Sequence, residues 1–219
     1  MKEINFEHIY QAGHVVYETD LYEHIHFPKM LLMYDNNLIK FKRMPTVKEF
    51  MKAAEYLRVY HVKNGQKHVK FTFPENEKLP LDLLNNLDDA CYAVGFLELY
   101  VIKPEQFPKV DENSHITIQS LSSENLEAFM KLQYEFDLEF GVEFAEQKRK
   151  LHEDHFKNEN FCQLIAYYND IPAGSVDVIL MDETVEIDSL SVLDSFQKRG
   201  LGQDYKSILW IISLISSLF

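Results

Sequence analysis

The run from Thr184 to Leu193 alternates as a strand, and the residues after it, Asp194-Ser195-Phe196 and then Gln197-Lys198-Arg199-Gly200-Leu201-Gly202, leave the chain few ways to continue. Only seven glycines occur in 219 residues, and two of them fall in this hexapeptide. The strand ends, the chain turns at 194–196, and Gly200-Leu201-Gly202 opens a helix whose first amides have no partner in their own backbone. An anion can supply the missing acceptors. Glycine at 200 and 202 lets a phosphate approach the main chain, while Gln197, Lys198 and Arg199 bring donors or positive charge beside it. Each charge-assisted hydrogen bond contributes roughly 1.5–3 kcal/mol. The helix dipole adds about 0.3–1 kcal/mol.

Two phosphate loops do not match. A P-loop needs four residues between its glycines and then Gly-Lys-Ser/Thr, and a dinucleotide fingerprint needs Gly-x-Gly-x-x-Gly at the start of a βαβ unit. Neither spacing occurs in the chain. The run Glu186-Ile-Asp-Ser-Leu-Ser-Val-Leu-Asp-Ser-Phe-Gln-Lys-Arg-Gly-Leu-Gly202 does match the Gln/Arg-x-x-Gly-x-Gly/Ala signature of the GNAT superfamily of N-acetyltransferases. It resembles that family's fourth strand, turn and third helix.

The order of elements in the second half is that of a mixed sheet. His115 to Ser120 alternates as a strand. A helix starts near Ser122, a candidate N-cap, and carries Leu126, Phe129, Met130, Gln133 and Phe136 at helical spacing. A second helix covers about Glu143 to Lys157. Strands come next at Phe161–Tyr168 and Ala173–Met181 around a turn at Asn169-Asp170-Ile171-Pro172, and then the strand 184–193. Pattern alone gives an α+β domain, and the resemblance makes it the leading portion of a GNAT-like acyl-CoA N-acyltransferase fold.

The first half is less regular. Strands are expected at His14–Glu18, Met30–Tyr34, Leu38–Arg43, His68–Phe73 and Phe96–Ile102, with helices near Thr46–His61 and Pro80–Ala90. This order resembles a degenerate copy of the later part of such a domain, without the Gly-x-Gly. The domains are therefore 1–110, a degenerate GNAT-like or partner α/β domain, and 114–219, the acetyltransferase-like domain. Lys103-Pro104-Glu105-Gln106-Phe107-Pro108-Lys109 is the expected linker, because two prolines interrupt either kind of element.

Charge excludes one class of partner. The net charge is −13, against the clustered Lys and Arg that nucleic acid requires. Residues 1–112 carry 14 basic and 17 acidic side chains (−3), while 113–219 carry 8 and 18 (−10). The acidic half suits a cationic amine by electrostatic steering, or serves solubility alone. No run reaches the roughly 18 apolar residues of a membrane span, and the start lacks a signal-peptide core. Cys91 and Cys162 have neither metal nor redox spacing, which fits a reducing cytoplasm and two small buried side chains.

The resemblance implies acetyl-CoA as cosubstrate, with Gln197, Lys198, Arg199, Gly200, Leu201 and Gly202 on the pyrophosphate and the backbone of Leu190, Ser191 and Val192 along the pantetheine. It implies direct attack of a primary amine of a small molecule or peptide on the thioester, with a general base and no acyl-enzyme. Glu186 and Asp188, two apart on one strand face, are the base candidates, Glu186 first by position. Solvated acidic residues at a strand start are the plainer reading. Asp204 would weaken anion binding slightly, and Tyr205 lies within the third helix rather than where the family's acid would stand. Family members continue with further strands and a helix after the third helix, so the resemblance leaves the edge of strand 184–193 to be covered by the N-terminal half or by a second copy in a homodimer. The apolar run Ser207 to Phe219 reads as a buried helix or as foreign sequence.

No metal is expected. His24-Ile-His26 and His152-Glu-Asp-His155 have usable spacings but no third ligand in sequence, so surface histidine is the simpler reading. No Gly-x-Ser-x-Gly or Cys/His pair supports covalent catalysis. Two functions remain: an N-acetyltransferase, and a non-catalytic acyl-CoA-binding or regulatory protein that keeps the fold.

Overall fold

The computed structural model describes residues 4–106 and 113–202. Contacts divide the chain into two compact units, Met1–Tyr100 and Val101–Phe219. The division falls ahead of the expected linker, of which residues 107–109 lie outside the described residues.

In the first unit β1 (His14–Glu18), β2 (Tyr22–His26), β3 (Leu38–Phe41) and β4 (Phe71–Thr72) form a sheet in that order. The first two pairings are antiparallel, and β3 and β4 run parallel across α1 (Val47–Lys63). Helix α1 starts where it does because Thr46 and Glu49 cap each other reciprocally, the Thr46 side chain accepting from the Glu49 amide and Glu49 accepting from the Thr46 amide. Arg43 pairs with the same carboxylate at 2.7 Å, and with the Thr46 donors it holds the Glu49 carboxyl down to about 2. Phe50, Ala53 and Leu57 of α1 bury against Tyr22, Ile39 and Phe41, and Leu83 and Leu87 of α2 (Leu81–Asp89) close the core.

Three expectations fail in this unit. The segment Met30–Tyr34 is a succession of turns, because the buried Asn37 amide donates to the carbonyls of both Met30 and Met33 and folds the backbone back on itself. Phe96–Ile102 joins neither sheet, and Phe96 is 95% and Tyr100 84% exposed. Cys91 is exposed rather than buried, at a left-handed residue just past α2. Sequence reading also missed β2, whose two histidines made a buried strand look polar.

In the second unit β5 (Ile116–Ser120), β6 (Phe161–Tyr168), β7 (Ile171–Leu180) and β8 (Val185–Val192) form a fully antiparallel sheet in that order. Asn169 and Asp170 both adopt positive φ, which closes the β6–β7 hairpin in the twist its strands require. Helices α3 (Leu126–Asp137) and α4 (Val142–Phe156) cover one face, where Phe129, Met130 and Leu132 meet Ile165. The N-cap of α3 is Asn125, and Ser122 instead opens the turn before it, accepting from the Glu124 amide while its own amide donates to Asn125 Oδ1 at 2.8 Å. The opposite face buries Leu164, Ala166, Val176, Val178 and Leu201.

Among the described residues no helix is long and apolar enough to cross a membrane.

Candidate functional site

Strand β8 is the last of its sheet and pairs with β7 alone among the described residues. Its ladder is regular from Val185↔Leu180 to Asp188↔Asp177, but the next pair is Ser191↔Ser175. Ser189 and Leu190 therefore share the single place opposite Val176, a β-bulge, and Ser189 takes a φ of 51°. Such a bulge twists the strand and frees main-chain groups from the ladder.

Strand alternation puts Glu186 and Asp188 on one face, beside Ile179 and Asp177 on the helix-covered side. Both are half-buried, and Asp188 accepts from Ser189 Oγ at 3.3 Å. Leu190 is exposed, Ser191 lies opposite Ser175, and Val192 joins the cluster on the other face.

After β8 the chain makes a single 3-10 turn, Asp194–Phe196, and Leu201 and Gly202 are helical. Leu201, 2% exposed, pins the loop to the apolar face of the sheet. Lys198 (φ 62°) and Gly200 (φ 99°) are left-handed, which stores roughly 1–2 kcal/mol at the lysine. The Gln197 amide donates to Asp194 O at 3.3 Å, whereas the amides of Lys198, Arg199, Gly200, Leu201 and Gly202 have no hydrogen-bond acceptor among the described residues.

The side chains of this run differ from expectation. Gln197 donates to Asp194 Oδ1 at 2.7 Å, within the loop itself. The Arg199 guanidinium lies over Tyr168 and Phe196, 5.1 and 5.4 Å from their ring centroids. The two polar heads expected on a phosphate are thus held within the unit, Gln197 by Asp194 and Arg199 by Tyr168 and Phe196, and Lys198 is exposed. The two glycines also differ in purpose. A Cβ at 200 would make ordinary contacts with Asn113 and Ile116, so glycine is needed there for its φ; a Cβ at 202 would meet nothing within 4 Å among the described residues. Asp204, Tyr205 and the apolar run 207–219 lie outside the described residues.

Comparison with known proteins places the whole chain beside one solved structure. A functionally unknown conserved protein of Staphylococcus epidermidis is 29% identical, with a TM-score of 0.88 over 96% of this chain and 84% of that one. The two-unit fold is shared. Residues 4–100 match a family model described as a domain of unknown function, DUF5613. A GNAT family acetyltransferase of Staphylococcus aureus is 13% identical at TM-score 0.36, over 45% of this chain and 78% of that one. The PaiA N-acetyltransferase of Thermoplasma acidophilum, solved in complex with coenzyme A, is 16% identical at TM-score 0.35, over 47% and 72%. At such TM-scores these two carry no argument about this chain. No curated protein matches it.

The histidines overturn the surface reading. His24 and His26 on β2 are buried with His61 of α1, and the His24 ring stands 6.0 Å from that of His61. Burial, with His61 and His26 adding to it, pushes His24 down to about 4, and burial with His61 does the same to His68. His152 and His155 are buried on α4, and there the fold adds a third group, Asp177 of β7. No spacing rule links Asp177 to a helix more than twenty residues earlier; only the pairing of β6 with β7 carries it under α4.

Proposed function

We propose that the chain binds acetyl-CoA along β8 and the loop 197–202 and transfers the acetyl group to a primary amine of a small molecule or peptide. The observation that carries this reading is the set of amides from Lys198 to Gly202 without acceptors among the described residues, at the start of a helix, next to a strand edge unpaired among those residues. Left-handed backbone at Ser189, Lys198 and Gly200 brackets that edge, and strain of this kind gathers where a site is preformed.

In this reading the diphosphate lies on the amides of 198–202, and Gly202 leaves the approach open. The pantetheine pairs with the main chain of Leu190, Ser191 and Val192. A main-chain amide at the bulge donates to the thioester oxygen as negative charge builds on it. The amine nitrogen attacks the carbonyl carbon, the C–S bond breaks, and the CoA thiolate leaves. Glu186 or Asp188 takes the amine proton, directly or through a water. The excess of acidic side chains in residues 113–219 draws a cationic amine toward the site.

Isothermal titration with acetyl-CoA, followed by thiol release over an amine panel, tests this. Saturable binding with amine-dependent CoA release is expected, and absence of binding at saturating cofactor ends the proposal. A second reading, acyl-CoA binding without turnover, is favoured by Gln197 and Arg199 being held internally, which leaves the anion mainly to backbone donors. Binding with no CoA release from any amine would decide for it.

A further inference from the structure

We propose that His152, His155 and Asp177 form a binding site for one first-row divalent cation of the zinc type, tying α4 to β7. The three residues are 1%, 8% and 0% exposed. One donor atom from each lies within 4.8 Å of the others. Asp177 Oδ2 is 3.6 Å from His155 Nδ1 and 4.0 Å from His152 Nδ1. A tetrahedral zinc with bonds near 2.0–2.1 Å holds its ligands about 3.3 Å apart, so closure requires shifts of less than about 1 Å per side chain.

The pattern of satisfied and unsatisfied atoms points the same way, and more strongly. His152 Nδ1, His155 Nδ1 and Asp177 Oδ2, the three atoms that converge, are all buried without a hydrogen-bond partner. The outward atoms of two of the residues are held: His152 Nε2 lies 3.4 Å from Asp137 Oδ2, and Gln163 Nε2 donates to Asp177 Oδ1 at 3.1 Å. A carboxylate behind a histidine and an amide behind a carboxylate are what fix ligand orientation around a metal. His155 is fixed differently, its ring stacked on Phe161 at 3.9 Å. Buried polar atoms are normally paired, so three orphans facing a common point call for a common partner.

Charge agrees. Asp177 and Asp137 bring two carboxylates to one buried cluster, and a divalent cation is the partner that balances two carboxylates away from water. Two imidazoles and one carboxylate suit zinc and its neighbours rather than magnesium or calcium, which prefer all-oxygen shells. A fourth position is left for a water or for Gln163 Oε1 or Ser175 Oγ, both buried and also without partners.

The test uses the full chain stripped with chelator, with Zn²⁺ and Co²⁺ as the probes. Zinc is expected to bind at about one ion per chain and raise the melting temperature. Cobalt should give the visible absorption of a four-coordinate N/O site, and Mg²⁺ should do neither. Asp177→Asn should abolish the cobalt spectrum. Asp137→Asn, which touches no metal position, should fold and weaken zinc about 10–100-fold, and Asp137→Glu should restore part of that. Should Asp177→Asn not fold, the wild-type spectrum and the Asp137 pair still decide. Zinc uptake unchanged in Asp137→Asn, or a stripped chain that takes up no zinc and melts at the same temperature with and without it, would overturn the proposal.

Discussion

Each unit buries histidines beneath helices on a four-stranded sheet, yet the two clusters meet opposite company. In the first, His24 faces His26, His61, Tyr56 and Tyr60, and among the described residues no carboxylate pairs with any of its histidines. In the second, two histidines converge on Asp177 and one of them also reaches Asp137. Burial drives both sets, but its consequence depends on the neighbours. Like-type rings make protonation costly and hold the first cluster neutral. Burial alone would raise the Asp177 carboxyl, but His155, His152 and Gln163 outweigh it and the carboxyl ends lowered. The first arrangement is a core that tolerates histidine; the second is the donor set for which a cation is proposed.

Substitution should separate the two most strongly. In metal-stripped protein Asp177→Ala removes one partner of a buried pair and should cost about 3–5 kcal/mol, read by urea unfolding with hydrogen exchange in α4 and β7. His24→Phe trades one Tyr56 contact for apolar packing and should change stability by about 1 kcal/mol or less. Equal losses would erase the distinction.

Acid should separate them next. His24 and His68 sit near 4 in the folded chain against 6.5 unfolded, with His26 and His61 lowered as well, so the unfolded chain binds more protons between these values. Stability from the first unit is complete above pH 6.5 and falls as pH drops toward 4. Asp177 has the same sign in a lower window: its contribution is complete above its unfolded value of 3.8 and is lost only as pH falls through its lower folded value. Hydrogen exchange across pH 7 to 4 should show the first unit's amides losing protection while the β6 and β7 amides around Asp177 keep the part of theirs that this carboxylate supports.

Two glycine substitutions sharpen the contrast at the loop. Gly200→Ala forces a side chain onto a left-handed residue and should cost roughly 1–2 kcal/mol. Gly202→Ala meets no atom among the described residues and should be neutral or stabilising by about 0.4–1 kcal/mol, yet weaken acetyl-CoA binding because the methyl occupies the anion's approach. Thermal melts beside titrations read both signs. Loss of stability without loss of binding at 202 would reverse the role assigned to that glycine.

The second unit was legible in sequence because its signals are local: β5 alternates, Asn169-Asp170 marks the hairpin, and the strand before Gln197 ends where its turn begins. The first unit was less so. In β2 buried histidines imitate a polar segment, and Met30–Tyr34 looks like a strand until Asn37 binds its carbonyls. At the site, alternation put Glu186 and Asp188 on one face, which the register repeats, but no local signal foretells that Arg199 lies on Tyr168 or that Asp177 reaches His155. Those contacts join residues tens of positions apart and arise from sheet pairing.

Everything proposed for the loop requires main-chain amides at 198–202 to hold a diphosphate, and amide-resolved NMR during titration with coenzyme A reads those amides one by one. Saturable shifts are expected at Lys198, Arg199, Gly200, Leu201 and Gly202, with smaller ones at Leu190, Ser191 and Val192. Coenzyme A bound with those resonances unmoved, or no shift anywhere at saturating ligand, would refute the assignment.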